Sequence, residues 1–309
     1  MKRVVDLFAG GGGLSLGFKA AGFDIVCAVE NWKPAIEIYQ ANFKCHPILD
    51  IDLNCTAEAT TAIQKFQPEM IIGGPPCQDF SSAGKRDESL GRANLTVSFA
   101  TIIQKVNPEY FVMENVARSQ GSKAYEEAIA IFKKANYGLT IKVLDAAYCG
   151  VPQQRKRLIV IGSKDQSDGF MDIELAEHYA SVPMTLRDYF GSSLNIEHYY
   201  RHPRSYARRG VFSIDEPSPT IRGVNRPVPK GYPGHAGDVA KVNSKLRALS
   251  TVERARIQTF PIDYELVGCK TDVEQVVGNA VPVNLAKFVA TALANHIARK
   301  TATTAASAA

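Results

Sequence analysis

Short apolar, β-rich runs alternate with stretches of helical spacing through the first half of this chain, and that alternation restricts the possible folds most. Val4–Phe8 reads as a strand and runs into glycines. Leu14–Ala21 has helical spacing, with Gly22 placed to end it. Ile25–Val29, Ile48–Ile51, Met70–Ile72, Tyr110–Met113, Ile141–Leu144 and Leu158–Ile161 read as further strands. Pro34–Phe43, Ala57–Phe66, Leu95–Val106 and Tyr125–Ala135 read as the helices between them. Alternating strands and helices with apolar strands predict an α/β fold, a doubly wound, mostly parallel sheet covered on both faces. Such sheets bind ligands at the carboxyl ends of their strands.

After Ser163 the pattern changes to prolines, scattered aromatics and short segments without a clear period. This predicts a smaller, irregular second domain over 164–276, with helical spacing returning at Thr251–Gln258. Helical spacing resumes at Asn284–Ile297. The segment 301–309 holds only Ala, Thr and Ser and is expected to fray. At 309 residues the chain can bury a large core without covalent staples. Six scattered cysteines without a CxxC argue against a disulfide scaffold or a metal site, and for a reducing cytoplasm. No secretory leader pattern and no run of about 18 apolar residues is visible. No membrane association is therefore expected.

Three strand ends suit one ligand. The loop Phe8-Ala9-Gly10-Gly11-Gly12-Gly13-Leu14 lets backbone approach a ligand at a helix N-terminus. It lacks the glycine spacing of a dinucleotide fingerprint, and no Gly-Lys-Ser/Thr follows. Glu30, ending the second strand, is placed for the hydroxyls of a ribose; Asp50, ending the third, for an adenine amino group. Together they suit an adenosine ligand without a pyrophosphate, such as S-adenosylmethionine. Taken alone, the loop reads equally well as a tight turn with surface acids.

Gly73-Gly74-Pro75-Pro76-Cys77-Gln78 puts a thiol on a stiff turn at a strand end. A lone cysteine is most often an inert core residue, and a nucleophilic one needs an activating environment. The next strand ends in Glu114-Asn115-Val116, and adjacent parallel strands would bring Glu114 beside Cys77. A carboxyl flanked by apolar residues is suited to proton donation. Pro152-Gln153-Gln154-Arg155-Lys156-Arg157 opens the last strand, and Arg157 is placed to hold Glu114 or a substrate carbonyl. Each motif alone has a plain reading as a strand-end turn or a solvated face. Their occurrence on one sheet edge favours a site.

Taken in order, these motifs resemble those of C5-cytosine-specific DNA methyltransferases of the bacterial restriction–modification type. The resemblance covers nearly the whole chain, from Asp6–Phe18 through Gly74–Gln78, Glu114–Val116, Gln153/Arg155/Arg157 and Thr251–Pro261 to Gly278-Asn279-Ala280-Val281-Pro282. It implies the S-adenosylmethionine-dependent methyltransferase fold with a target-recognition domain. Cofactor contacts are implied at Phe8, Ala9, Gly10, Gly12, Gly13, Leu14, Glu30, Asp50, Ile51, Pro75, Leu95, Asn279 and Ala280. No metal is implied. Cys77 would attack cytosine C6, Glu114 would bind the N3 edge, and Arg155 and Arg157 would bind O2 and orient Glu114. The base must leave the duplex to be reached. Gln78, Ser81 and the stretch 82–92 resemble the loop that closes over DNA. One departure is Asn31, where an aromatic usually follows the ribose-binding acid; Trp32 comes one place later. Asp79 is an uncommon charge beside Gln78.

The resemblance further implies a monomer acting on double-stranded DNA in the bacterial cytoplasm, paired functionally with a cognate restriction endonuclease. A tRNA-methylating branch shares most motifs but typically carries Cys-Phe-Thr, which does not occur here. In the recognition region Pro219-Thr220-Ile221 resembles a short Thr-aliphatic element, and Thr220, Arg222, Asn225 and Arg226 are the candidates for DNA contact. The net charge of +5 conceals a split: residues 199–256 carry +8 and residues 164–198 carry −5. A basic block interleaved with aromatics is the footprint of phosphate contact, expected to include Arg208 and Arg209, with a DNA-reading core at about 199–250.

Overall fold

The computed structural model describes residues 1–76 and 94–307. The first half builds β1 (Arg3–Leu7), α1 (Gly13–Ala20), β2 (Asp24–Glu30), α2 (Lys33–Asn42), β3 (Ile48–Asp50), α3 (Thr56–Gln64) and β4 (Met70–Gly73). It continues with α4 (Asn94–Val106), β5 (Tyr110–Val116), α5 (Lys123–Lys134), β6 (Tyr137–Asp145), β7 (Gln153–Gln154) and β8 (Lys156–Lys164). Seven of these strands form one sheet in the order β3-β2-β1-β4-β5-β8-β6. The pairs among β1 to β5 are parallel, whereas β8 runs antiparallel to both β5 and β6. A short connection between β6 and β8 suffices because antiparallel neighbours need no crossover helix.

Side-chain alternation along each strand divides the core in two. Val4, Met70, Ile72, Tyr110 and Val112 face one side, with Phe18 of α1. Val5, Ile71, Phe111 and Met113 face the other, with Phe99 of α4 and Phe132 of α5. The chain therefore leaves β1 toward one face and β4 toward the opposite face. The crevice between their carboxyl ends is a topological switch point, where ligands of such sheets bind.

The remaining elements are α6 (Asp172–Glu177), α7 (Leu186–Phe190), β9 (His198–Tyr200), β10 (Val211–Ser213), β11 (Ser218–Pro219), α8 (Thr251–Ile257), α9 (Lys270–Asn279) and α10 (Val283–Ser307). The smaller region has only a small cluster of its own, Tyr200, Val211 and Tyr232, and most of its buried side chains join the first domain. Leu186, Phe190, Tyr199, Ile257 and Val277 pack with Ala35 and Ile38 of α2 in one cluster. A two-strand parallel ladder also ties β11 to β7. Helix α10 runs to Ser307, through most of the segment expected to fray. Alanine is the best helix former, and it extends here a helix already nucleated by packing. The stretch Lys270–Ala302 is long and apolar enough to cross a membrane, unlike the expectation from composition. Yet 72% of its apolar window is buried inside the protein, where Leu285, Val289 and Leu293 join the core against α1.

Gly17 permits that packing. A Cβ there would lie 2.4 Å from Ala286 Cβ, 2.6 Å from Lys287 N and 2.7 Å from Val283 O. Helix propensity alone favours Gly17→Ala by about 1 kcal/mol. We predict instead a net loss of about 2 kcal/mol in urea unfolding, because backbone of α10 must move. Equal or greater stability of the variant would contradict the close approach.

Candidate active site

Three loops meet at the switch point. The first follows β1, where Phe8 (φ 57°), Gly10 (φ 54°) and Gly12 (φ 79°) adopt left-handed backbone. Ala9 anchors this loop through its N–H to Val29 O at 3.1 Å. The glycines serve two ends. A Cβ at Gly11 would lie 2.5 Å from Val276 Cγ1, and one at Gly13 would lie 2.2 Å from Val281 O. These two are pressed against protein. A Cβ at Gly10 would meet nothing nearer than Phe8 O at 4.0 Å, so bare backbone faces open space there. Leu14 continues into α1 as part of the core.

Glu30 closes the second loop. Its Oε2 accepts from Gly10 N at 2.9 Å, and its Oε1 accepts from Asn31 N and Trp32 N, each at 2.9 Å. The register pairs Glu30 with Asp50, so both carboxylates stand at the same sheet edge, with Asp50 exposed and Ile51 half-buried. Trp32 packs with the α2 cluster, and Asn31 is exposed. An open glycine backbone beside an oriented carboxylate fits the glycosyl end of an adenosine ligand. The final segment completes the rim. Asn279 is exposed and accepts from Gln275 Nε2 at 3.0 Å, while Ala280 is buried.

The third loop follows β4. In register, Gly73 pairs with Met113, which sets Gly74 beside Glu114; a Cβ on Gly74 would lie 3.1 Å from Glu114 Oε2. Pro75 O accepts from Asn115 Nδ2 at 3.4 Å. Cys77, Gln78, Ser81 and the stretch 82–92 lie outside the described residues; Leu95 lies in the first turn of α4, just beyond them. Glu114-Asn115-Val116 is not a strand-end turn. β5 continues through it, opposite Ile159, Leu158 and Arg157 of β8. That register puts Arg157 Nε 2.7 Å from Glu114 Oε1, with both side chains largely buried. A buried carboxylate requires such a partner.

Arg155 departs from the sequence expectation. The residue is 2% exposed, and its guanidinium donates to Ile221 O at 3.1 Å, Gly278 O at 3.2 Å and Ala280 O at 2.9 Å. Burial first, then the nearby Arg157, works against its charge; backbone carbonyls, in place of a carboxylate, accept from its two terminal nitrogens and leave Nε without a partner among the described residues. Two recognition candidates are likewise committed. Asn225 Nδ2 donates to Leu249 O at 2.8 Å and Glu274 Oε1 at 3.1 Å, which removes its donors from base reading. Arg209 holds Glu216 through both terminal guanidinium nitrogens and stacks over Phe212. Thr220 Oγ1 donates to Gln154 O at 2.8 Å, and Arg222 donates to His202 O at 2.6 Å. Arg226 and Arg208 are exposed. Arg201, Arg222, Arg226 and Arg254 line a narrow cleft with Tyr199 and Tyr200. Burial, then Arg222, lowers Arg201 to about 10.

Sequence reasoning passed over a buried polar chain beneath the glycine loop. Asp6 Oδ2 accepts from Ser15 Oγ at 2.6 Å, Ser15 Oγ meets Tyr39 Oη at 2.8 Å, and Tyr39 Oη meets His46 Nε2 at 2.8 Å. The signal available was an acid inside an otherwise apolar strand. Tyr264 also caps the loop, donating to Gly11 O at 2.6 Å.

The sheet order and site define an S-adenosylmethionine-dependent methyltransferase fold. Residues 2–295 match the family model of C-5 cytosine-specific DNA methylases, and the chain belongs to that family. It is a DNA (cytosine-5-)-methyltransferase. It is 58% identical to the type II methyltransferase M.HindV of Haemophilus influenzae, covering 95% of this chain and 96% of that protein. It is 54% identical to M.HgiDI of Herpetosiphon aurantiacus, covering 96% and 95%. The fold matches the solved structure of a Spodoptera frugiperda DNMT2 variant with TM-score 0.70 at 19% identity, over 95% of this chain and 99% of that one.

Burial raises the Asp6 carboxyl from 3.8 to about 7; Ser15 opposes the shift and Glu30 adds to it. Between these values the unfolded state loses its proton first. Stability from this group therefore falls as pH rises from about 4 to 7 and levels above. Relative to Asp6→Asn, the native protein should lose about 2 kcal/mol between pH 5 and 7 in urea unfolding. Parallel pH profiles for the two proteins would contradict a neutral buried Asp6.

Proposed function

We propose that the enzyme methylates C5 of one cytosine within a specific short sequence of double-stranded DNA. The observation that carries the reading is the Glu114–Arg157 pair at 2.7 Å, facing Gly74 three residues before Cys77. Residues 1–163 with 277–300 serve as the cofactor and catalytic unit, and 164–276 as the recognition region and hinge. Phe8, Ala9, Gly10, Gly12, Gly13, Leu14, Glu30, Asp50, Ile51, Pro75, Leu95, Asn279 and Ala280 hold the cofactor. S-adenosylmethionine, when bound, supplies the electrophilic methyl group.

Cytosine C5 is a weak nucleophile. The Cys77 thiolate adds to C6 of a base flipped from the duplex, and the electron density reaches C5. Glu114 bonds the N3 edge and the exocyclic amine, which offsets charge as the adduct forms. Arg157 fixes Glu114 and reaches toward O2. Once C5 is methylated, a base removes its proton and Cys77 leaves as thiolate. Gln78 and Ser81 contact DNA from the nucleophile loop. The relatives' names as type II methyltransferases support a role in protecting the cell's own DNA from a restriction endonuclease.

Two outcomes test this reading. Cys77→Ala should abolish transfer of tritiated methyl to duplex DNA while keeping cofactor binding; full residual turnover would sink the mechanism. Arg208 and Arg226 are the exposed phosphate contacts, whereas Arg209 is held by Glu216. The double variant Arg208→Ala/Arg226→Ala should reduce the slope of log affinity against log salt by about 2, and Arg209→Ala should leave it unchanged. The reverse pattern would place the phosphate contacts elsewhere.

A further inference from the structure

The contact between the recognition region and the cofactor rim is unusually polar and close. Gln153 of β7 accepts from Ile221 N at 2.8 Å and donates to Gln258 Oε1 at 2.7 Å. Gln258 donates onward to Val277 O at 2.6 Å and Ala280 O at 3.1 Å. Arg155 bonds Ile221 O on one side and the Gly278 and Ala280 carbonyls on the other. Beside them Arg254, paired with Glu274, donates to Arg222 O. No space separates the two backbones. A Cβ on Gly278 would lie 2.2 Å from Gly223 N and 2.3 Å from Arg222 C. Three residues further on, Val281 O sits against Gly13 of the glycine loop.

A surface joint between two lobes would ordinarily be solvated and adjustable. Here a guanidinium and two carboxamides are buried; Arg155 bonds both segments directly, and Gln153 and Gln258 link them as a bonded pair. Displacing Ile221–Gly223 would strand several of these donors without acceptors, unless the segment 278–281 moved with it. The two segments thus move as one body, and 278–281 abuts the loop assigned to the cofactor.

We infer that Arg155 is a positioning residue that couples DNA engagement by residues 220–226 to cofactor affinity at the glycine loop, and that it does not contact the target base. This rests on the functional reading above, which assigns those two surfaces their ligands. By linkage, each ligand tightens the other by the same factor.

The test is equilibrium dialysis of tritiated S-adenosylhomocysteine against the full-length enzyme, alone and with saturating plasmid DNA that the enzyme methylates. The wild type should bind it about tenfold more tightly with DNA than without. Arg155→Lys and Gln153→Ala, unlike in chemistry, should both bring that ratio within about twofold of unity. Affinity without DNA should change less than threefold, which a merely structural loss would not spare. Hydrogen exchange on the wild type gives a second reading that needs no variant. S-adenosylhomocysteine alone should slow exchange of the amides at 221–225 several-fold. A retained ratio in the variants, or exchange at 221–225 indifferent to the product, overturns the coupling. Tight product binding by a wild type indifferent to DNA defeats the coupling alone. No product binding at all defeats the cofactor assignment as well.

Discussion

The rest of the structure depends on the approach of Val281 to Gly13. There the carbonyl of a late residue occupies the space that any side chain at Gly13 would need. This contact brings the end of the chain back onto its first loop, with Tyr264 and Val276 packed against neighbouring glycines. Gly17 repeats the arrangement one turn along α1, against Ala286. The four consecutive glycines are therefore not equivalent. Gly11 and Gly13 make room for protein, and Gly10 leaves backbone bare for a ligand.

The same economy of space governs the reactive corner. β4 ends at Gly73, and Gly74 has no side chain to separate it from Glu114. β8 runs antiparallel to β5, so its first residues, not its last, lie beside Glu114. An antiparallel strand at this place puts a cation from the start of one strand against an acid from the end of another. A parallel strand would have set them at opposite edges.

Much of this was legible in the sequence. Alternating apolar runs gave the helices and the parallel strands, and strand-end motifs located Glu30, Glu114 and Arg157 at one edge. What escaped depends on where a side chain turns at long range. Arg155 and Arg157 lie two apart on one extended segment and look alike, but Arg155 reaches carbonyls supplied by residues 221, 278 and 280. Arg209 reads as a free cation until Glu216 is folded against it. Local spacing does not reveal either partner. The helical end of α10 was missed for a different reason. Low-complexity Ala and Thr suggest fraying, but a helix anchored in the core extends through alanine at little cost.

The central claim is covalent attack on a cytosine by the thiol that follows Gly74. Duplex DNA in which 5-fluorocytosine replaces cytosine tests it most directly, since fluorine at C5 cannot leave as a proton and the adduct persists. With S-adenosylmethionine present, the account predicts a protein–DNA complex that survives denaturing electrophoresis and maps to Cys77. Normal binding of that DNA without any covalent complex, or a cross-link at another residue, would contradict it.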